Sequence, residues 1–431
     1  IKMFDKKEIS MRIVSNTLLS IAVVFSTGIM AKENVGQNES ASNSNARIAA
    51  GCAPSTSQTD LDINNIRTTI MAGGDMWWDL NNAKYEIPKN SNKHSMFAGA
   101  LWIAGVSDGG QLKVAAQTYR QTGDDFWTGP LDPATGSISP SECDEWDQHF
   151  KINRSDVEEF LAFMDNPDAY PSYVVPDVIK QWPAKGNDEG IAGDRNIAPF
   201  HDVDGDGEYN YEVGDYPDFN ISGDDIDAEL FGDQNLFWVF NDKGNVHTET
   251  GAESIGLEIH AQAFGFATDD EINDMTFYNY KIINRATTKL LDAYFGQWVD
   301  PDLGNYLDDY VGCDVELGLG YCYNGDEIDD GSAGYNYDSD APPPAIGIDF
   351  FRGPLADVGD GIDNDRDGDI DEPGEQIIMS KFVYYNNDFS DYGNPEAPEH
   401  YYNYLRGIWK NGQKMTYGQT GWEDGLPECN F

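Results

Sequence analysis

Positive charge is scarce in this chain of 431 residues: 27 Lys and Arg stand against 76 Asp and Glu, a net of −49. That excludes nucleic acid, anionic membrane and acidic proteins as partners, since each repels such a surface. Histidine is scarce too. His94, His149, His201, His247, His260 and His400 show no HExxH or other ligand spacing, so no zinc centre is legible. His201 adjoins an acidic loop, but imidazole is a poor calcium ligand, and it reads as loop surface. The apolar run from Leu18 to Phe25 falls short of the roughly 20 residues that a membrane span needs. Aromatics, by contrast, are plentiful, with 10 Trp, 23 Tyr and 21 Phe. Acid-rich disordered chains lack such residues, so the composition favours a folded protein that takes up cations.

The short apolar run follows Met11 and Arg12 and precedes small residues up to Ala31. This is the layout of a secretory signal peptide over 11–31, cut between Gly28 and Ala31. Residues 1–10 read as upstream or tag sequence, and the polar, small residues of 32–51 as a flexible linker. An exported chain meets oxidising conditions. Of five cysteines, Cys313 and Cys322 frame CDVELGLGYC and are expected to bridge locally, with Cys52 to Cys143 as a long-range pairing and Cys429 left over. The ending ECNF reads as a cut rather than a finished terminus.

Strand signals fill the rest. IRTTIMAGGDMWWDL and SMFAGALWIAGV are aromatic and β-branched, and DGG at 108–110 turns the latter into QLKVAAQTYR as a hairpin. RSDVEEFLAFMDN is the best helix, with Ser155 and Glu158 as a capping box and Val157, Phe160, Leu161 and Met164 on one face. PDVIKQW offers a shorter one. Further on, Ile255, Leu257, Ile259, Ala261 and Ala263 alternate onto one side, as do Tyr278, Tyr280 and Ile282, and Tyr294, Gly296 and Trp298. The expected fold is mainly β, with antiparallel β-sandwich-like domains at 52–230 and 231–431, acidic calcium-binding loops and one or two short helices.

Two acidic loops carry the chemistry. Asp202, Asp204, Asp206, Gly207 and Asn210 match Asp363, Asp365, Asp367, Gly368 and Asp371 position for position. Oxygen ligands at alternate residues followed by a turn-forming Gly are what a calcium loop requires. The twelfth position should be a bidentate Glu but is Val213 in one loop and Gly374 in the other. Glu212 or Asp215, and Glu372 or Glu375, are the acids placed to close the shells, with Asp369 a further donor in the second. A third, irregular cluster, Asp300, Asp302, Asn305, Asp308, Asp309 and Asp314, suggests another hard-cation site for Ca²⁺ or Mg²⁺.

Enzyme signals are weaker. The formal GxSxG at 105–109 needs a strand–turn–helix, whereas a strand continues here, so it reads as a hairpin tip. Carboxylate pairs for glycoside hydrolysis cannot be singled out among 76 acids. Most tryptophans lie in strand patterns suited to a core. Trp127, in DDFWTGPLDP, is the best candidate for an exposed sugar-stacking platform.

The runs APFHDVDGDGEYNYEVGDYP, GDQNLFWVFNDKGNVHTET, MTFYNYKIINR and YFGQWVDPDLGNYLDDYVGCD resemble large secreted proteins of Bacteroidota, from about residue 60 onward. Such proteins are mostly uncharacterised. The resemblance implies the type IX export machinery as a partner and a C-terminal sorting domain, which this sequence lacks. DNDRDGDIDE separately resembles the calcium loops of thrombospondin type 3 repeats. The combined expectation is a secreted or cell-surface, calcium-binding structural or adhesive protein without catalysis. Its surface partner would be an extracellular polysaccharide or a cell-surface protein. The alternative is a carbohydrate-binding module or an accessory region of a secreted hydrolase.

Overall fold

The structure is a computed structural model. It describes residues 51–221, 232–329, 331, 334, 337, 343–418, 421–422 and 425–429, and the backbone of 13–14 and 19–27. The upstream segment, nearly all of the linker and much of the signal reading lie outside the described residues.

The chain is mainly β, as its alternating patterns require. The strands Gln234–Asn241, Leu257–Gly265 and Phe277–Asn284 form an antiparallel meander, flanked by Trp127–Thr128 and Phe150–Asn153. A larger sheet centres on Ala98–Ser107 paired antiparallel with Leu290–Asp300, and carries Leu112–Ala116, Asp75–Met76 and Arg67–Met71 on its other side. Both sheets therefore draw strands from each side of residue 230, and the two expected segments share one core.

That core lies between the sheets. Leu101, Ile103, Phe295 and Val299 face Leu236, Trp238, Phe240, Ile259, Ala261, Ala263, Tyr280 and Ile282. The faces read from the alternation of 255–263 and 278–282 are the inward ones. Each sheet is also covered on its outer face. Val157 and Phe160 of helix Arg154–Asp165 join Ile179 and Trp182 over Phe237 and Val239. Tyr401, Tyr404 and Leu405 of helix Pro398–Leu405 pack on Trp102, Trp298 and Tyr385. Trp102 and Trp298 stack with ring centroids 6.3 Å apart, and Tyr401 meets Trp102 edge-on at 4.8 Å. Burial on two faces explains why 98–104 is apolar throughout rather than alternating. Among the described residues there are four short α-helices, and none is long and apolar enough to cross a membrane.

Several expectations need correction. Helix Arg154–Asp165 is capped two residues earlier than expected. Asn153 is the N-cap and its amide donates to Asp156 at 3.0 Å, because strand pairing keeps the backbone extended up to Asn153. Cys313 and Cys322 are free thiols. The register sets Cys313 opposite Gly320 and Cys322 opposite Val311, a diagonal offset that holds the sulfurs apart. The long-range pairing does form: a disulfide joins Cys52 to Cys143, across 91 residues. Trp127 is 2% exposed, packed with that disulfide, Leu131 and Ile138, so it is no surface platform.

Residues Leu19–Thr27 form a strand parallel to both Leu290–Asp300 and Met379–Asn386. The run read as the apolar part of a signal peptide is thus long enough to complete a sheet.

Candidate calcium loops

The first acidic loop follows the strand Phe200–His201, and the second precedes the strand Met379–Asn386. Their internal hydrogen bonds correspond. Gly207 N donates to Asp202 Oδ2 at 2.8 Å, and Gly368 N to Asp363 Oδ2 at 3.2 Å. Asp206 N and Asp367 N each donate 3.2 Å to the aspartate two residues back, Asp204 and Asp365. Glu208 N and Asp369 N bond Asp206 and Asp367 at 2.8 and 2.9 Å. The fourth position is left-handed in both, Gly205 at φ 76° and Arg366 at φ 59°, and so is the sixth, Gly207 at 80° and Gly368 at 104°. Glycine at the sixth position avoids the cost of a Cβ there; Arg366 bears that strain.

A carboxylate beyond each loop fixes its start. Asp215 Oδ1 accepts Val203 N at 2.8 Å and its Oδ2 accepts Asn210 N at 2.8 Å, while Glu375 Oε1 accepts Asn364 N. Burial pushes the Asp215 carboxyl up against the pull of those two amides, with Asp202 and Asp204 adding to the rise.

The aspartates converge. In the first loop, Asp202, Asp204 and Asp206 bring one oxygen each within 4.8 Å of one another, and in the second Asp363, Asp365 and Asp367 do the same. Asp365, Glu372 and Glu375 form a second triplet of this kind, so both acids considered for closure gather around Asp365. Asp363 Oδ1 and Glu372 Oε2 are buried without a hydrogen-bond partner, which suits oxygens kept for a cation. The remaining expected acids are not members of these triplets. Asn210 Oδ1 caps the short 3-10 turn by accepting Glu212 N, Glu212 and Asp369 are exposed, and Asp371 Oδ1 accepts Gly361 N at 3.2 Å.

The third cluster is built differently. Asp300, at the end of the strand Leu290–Asp300, is 2% exposed and accepts Tyr119 OH at 2.6 Å. Asp309 Oδ2 accepts Leu303 N at 2.9 Å, and Asp329 accepts the amides of Asn305 and Tyr337, tying the loop together. Burial drives Asp302 well above the carboxylate range, with Asp300 and Asp309 adding to it. Burial likewise pushes Asp309 up to about 8, with Asp308, Asp329 and Asp300 contributing. Asp308 belongs to this group through Asp309, whereas Asp314 is exposed at the far end of its strand and accepts Leu317 N. Asp329 and Asn324 escaped the sequence reading; the hairpin over 309–324 was the signal that would have paired Asn324 with Asp309. Among the described residues, triplets of acids within 4.8 Å occur in the two loops and not here.

Apart from the acidic loops, a cavity of about 480 Å³ is lined by Trp77, Tyr85, Tyr278, Phe295, Phe351 and Arg352. Comparison with family profiles, curated proteins and solved structures finds no match.

Proposed function

We propose that the protein is an exported, calcium-stabilised β-rich scaffold with structural or adhesive duty at the cell surface. The observation that carries the reading is the repetition of one loop conformation, with converging aspartates, at two unrelated places in the chain. Like charges held a few Å apart repel by roughly 4 kcal/mol a pair at surface dielectrics. A divalent ion turns that repulsion into attraction, and Asp, carboxamide and backbone oxygens are calcium's preferred donors. Asp202, Asp204 and Asp206 would hold one ion; Asp363, Asp365 and Asp367, with Glu372 and Glu375, would hold the other. At a hundredfold excess over its dissociation constant, each ion would add about 2.7 kcal/mol to stability. Export by the type IX route and a surface location belong to this reading through the resemblance of the acidic and aromatic runs.

Calcium titration of chelator-treated protein, followed by calorimetry and thermal melting, tests it. Chelation lowers the melting temperature and calcium restores it. Asp204→Ala and Asp365→Ala each remove one bound equivalent, while Asp369→Ala, outside the triplets, leaves uptake intact. Unchanged uptake in both loop variants overturns the assignment.

The aromatic-lined cavity supports a second reading, a module that binds a sugar or a similar flat ligand. Phe351 is 61% exposed at its mouth. Binding on a glycan array that Phe351→Ala abolishes would favour this reading; silence on the array favours the scaffold.

A further inference from the structure

The third acidic cluster has a feature that the two exposed loops lack: it is buried. Asp302 is 8% exposed and its Oδ1 has no hydrogen-bond partner. The charged groups acting on it are Asp300 and Asp309, both acids. Asn324 lies directly across the strand pair from Asp309 and is also 8% exposed. Its amide nitrogen donates to the carbonyls of Asp326 and Ile328 at 3.2 and 3.3 Å, which fixes the carboxamide and leaves its Oδ1 buried without a donor. Asp309 is held by Leu303 N through Oδ2, and its Oδ1 too is buried and unpartnered. Buried oxygens of this kind are costly unless a donor or a cation satisfies them.

We infer that Asp302, Asp309 and Asn324, backed by Asp300, hold a divalent cation, and that oxygen-only donors of mixed type select calcium. Calcium accepts six to eight oxygens from carboxylates, carboxamides and carbonyls, so a site of this kind does not need three crowded carboxylates. The ion would join the end of strand Leu290–Asp300 to the hairpin Asp309–Asp314 and Leu319–Asn324, fastening that hairpin to the large sheet. Magnesium, which demands near-ideal octahedral geometry, would bind more weakly.

The inference is independent of the exposed loops and is tested with them silenced. In the full chain carrying Asp204→Ala and Asp365→Ala, stripped with chelator, calcium titration should still find one bound equivalent and a rise in melting temperature. Adding Asp302→Asn, of nearly equal volume, should remove both. Asn324→Ala provides the same readout should Asp302→Asn fail to fold, and circular dichroism confirms the folded state of each variant. No uptake by the doubly substituted chain overturns the inference, as does uptake that survives Asp302→Asn and Asn324→Ala. If, in chelator, Asp302→Asn raises the melting temperature and calcium has no effect, the acids are instead a proton-sharing group. Failure of the loop assignment alone would look different: unsubstituted protein would bind the one buried equivalent only.

Discussion

Glu258 shows how a fully buried charge is tolerated in a chain so poor in bases. Its carboxylate meets Arg285 at 2.7 Å and His260 Nε2 at 2.8 Å, and accepts Leu131 N at 2.8 Å. Burial works against ionisation, but His260 and Arg285 outweigh it and hold the carboxyl at about 2. A depressed carboxyl adds stability above its unfolded value, near 4.5, and loses it as pH falls through the folded value. Between pH 4.5 and 2 the protein should therefore lose about 3 kcal/mol from this group alone. Denaturant melts of Glu258→Gln should show a flatter acid limb and, at pH 7, a loss of about 3–5 kcal/mol from stranding Arg285. An unchanged acid limb would remove Glu258 from the account. Asp242 is buried in the same manner, its carboxylate accepting the amides of Ile255, Gly256 and Leu257 at 2.5, 2.9 and 2.6 Å. Such acids were indistinguishable in the sequence from the loop aspartates, because what separates them is the donor brought from elsewhere in the chain.

Among the elements, strands and helices followed the local pattern closely, and their partners did not. The hairpin tip at 105–109 forms as its turn residues require, with Gly110 N donating to Ser107 O at 2.8 Å. Ser107 Oγ accepts Gln111 N within that turn. The cysteines show where local reasoning fails. Eight residues separate Cys313 from Cys322 in CDVELGLGYC, but a two-residue register offset decides the distance between the sulfurs. Cys143 sits in helix Pro140–Glu145, which Ser139 and Glu142 cap, and the fold carries Cys52 to it. A closure across 91 residues restricts the unfolded chain strongly. Replacing both Cys52 and Cys143 by Ser should cost about 2–5 kcal/mol in denaturant melts. Thiol labelling of oxidised, unfolded protein should find Cys313, Cys322 and Cys429 reactive; labelling of Cys52 would refute the bridge.

For the whole molecule the governing fact is a net charge of −49 on a fold with one shared core. Self-repulsion of that size weakens the compact state, so the cation uptake proposed above would act on the entire protein as well as on its loops. The N-terminus poses a question of the same scale. Strand Leu19–Thr27 lies between Leu290–Asp300 and Met379–Asn386, yet its sequence has the layout of a segment removed on export. If it is a signal, mass spectrometry of exported protein should find a mature terminus between residues 29 and 32. The two flanking strands would then close on each other or take another strand. A mature chain that still begins upstream of Leu19 would make the segment a permanent part of the sheet and reject the signal reading.

By itself the sequence determined the properties that depend on neighbours a few residues away. These are the strand faces at 255–263 and 278–282, the helix face of Val157 and Phe160, and the matched spacing of Asp202 to Asp206 and Asp363 to Asp367. Only the tertiary structure decided what depends on distant residues. It paired Cys52 with Cys143, buried Trp127, set Asn324 opposite Asp309 and merged two expected domains around one core. The physical reason is that periodicity and turn chemistry act over one or two turns of chain. Register, burial and the gathering of like charges are settled by where the strands meet.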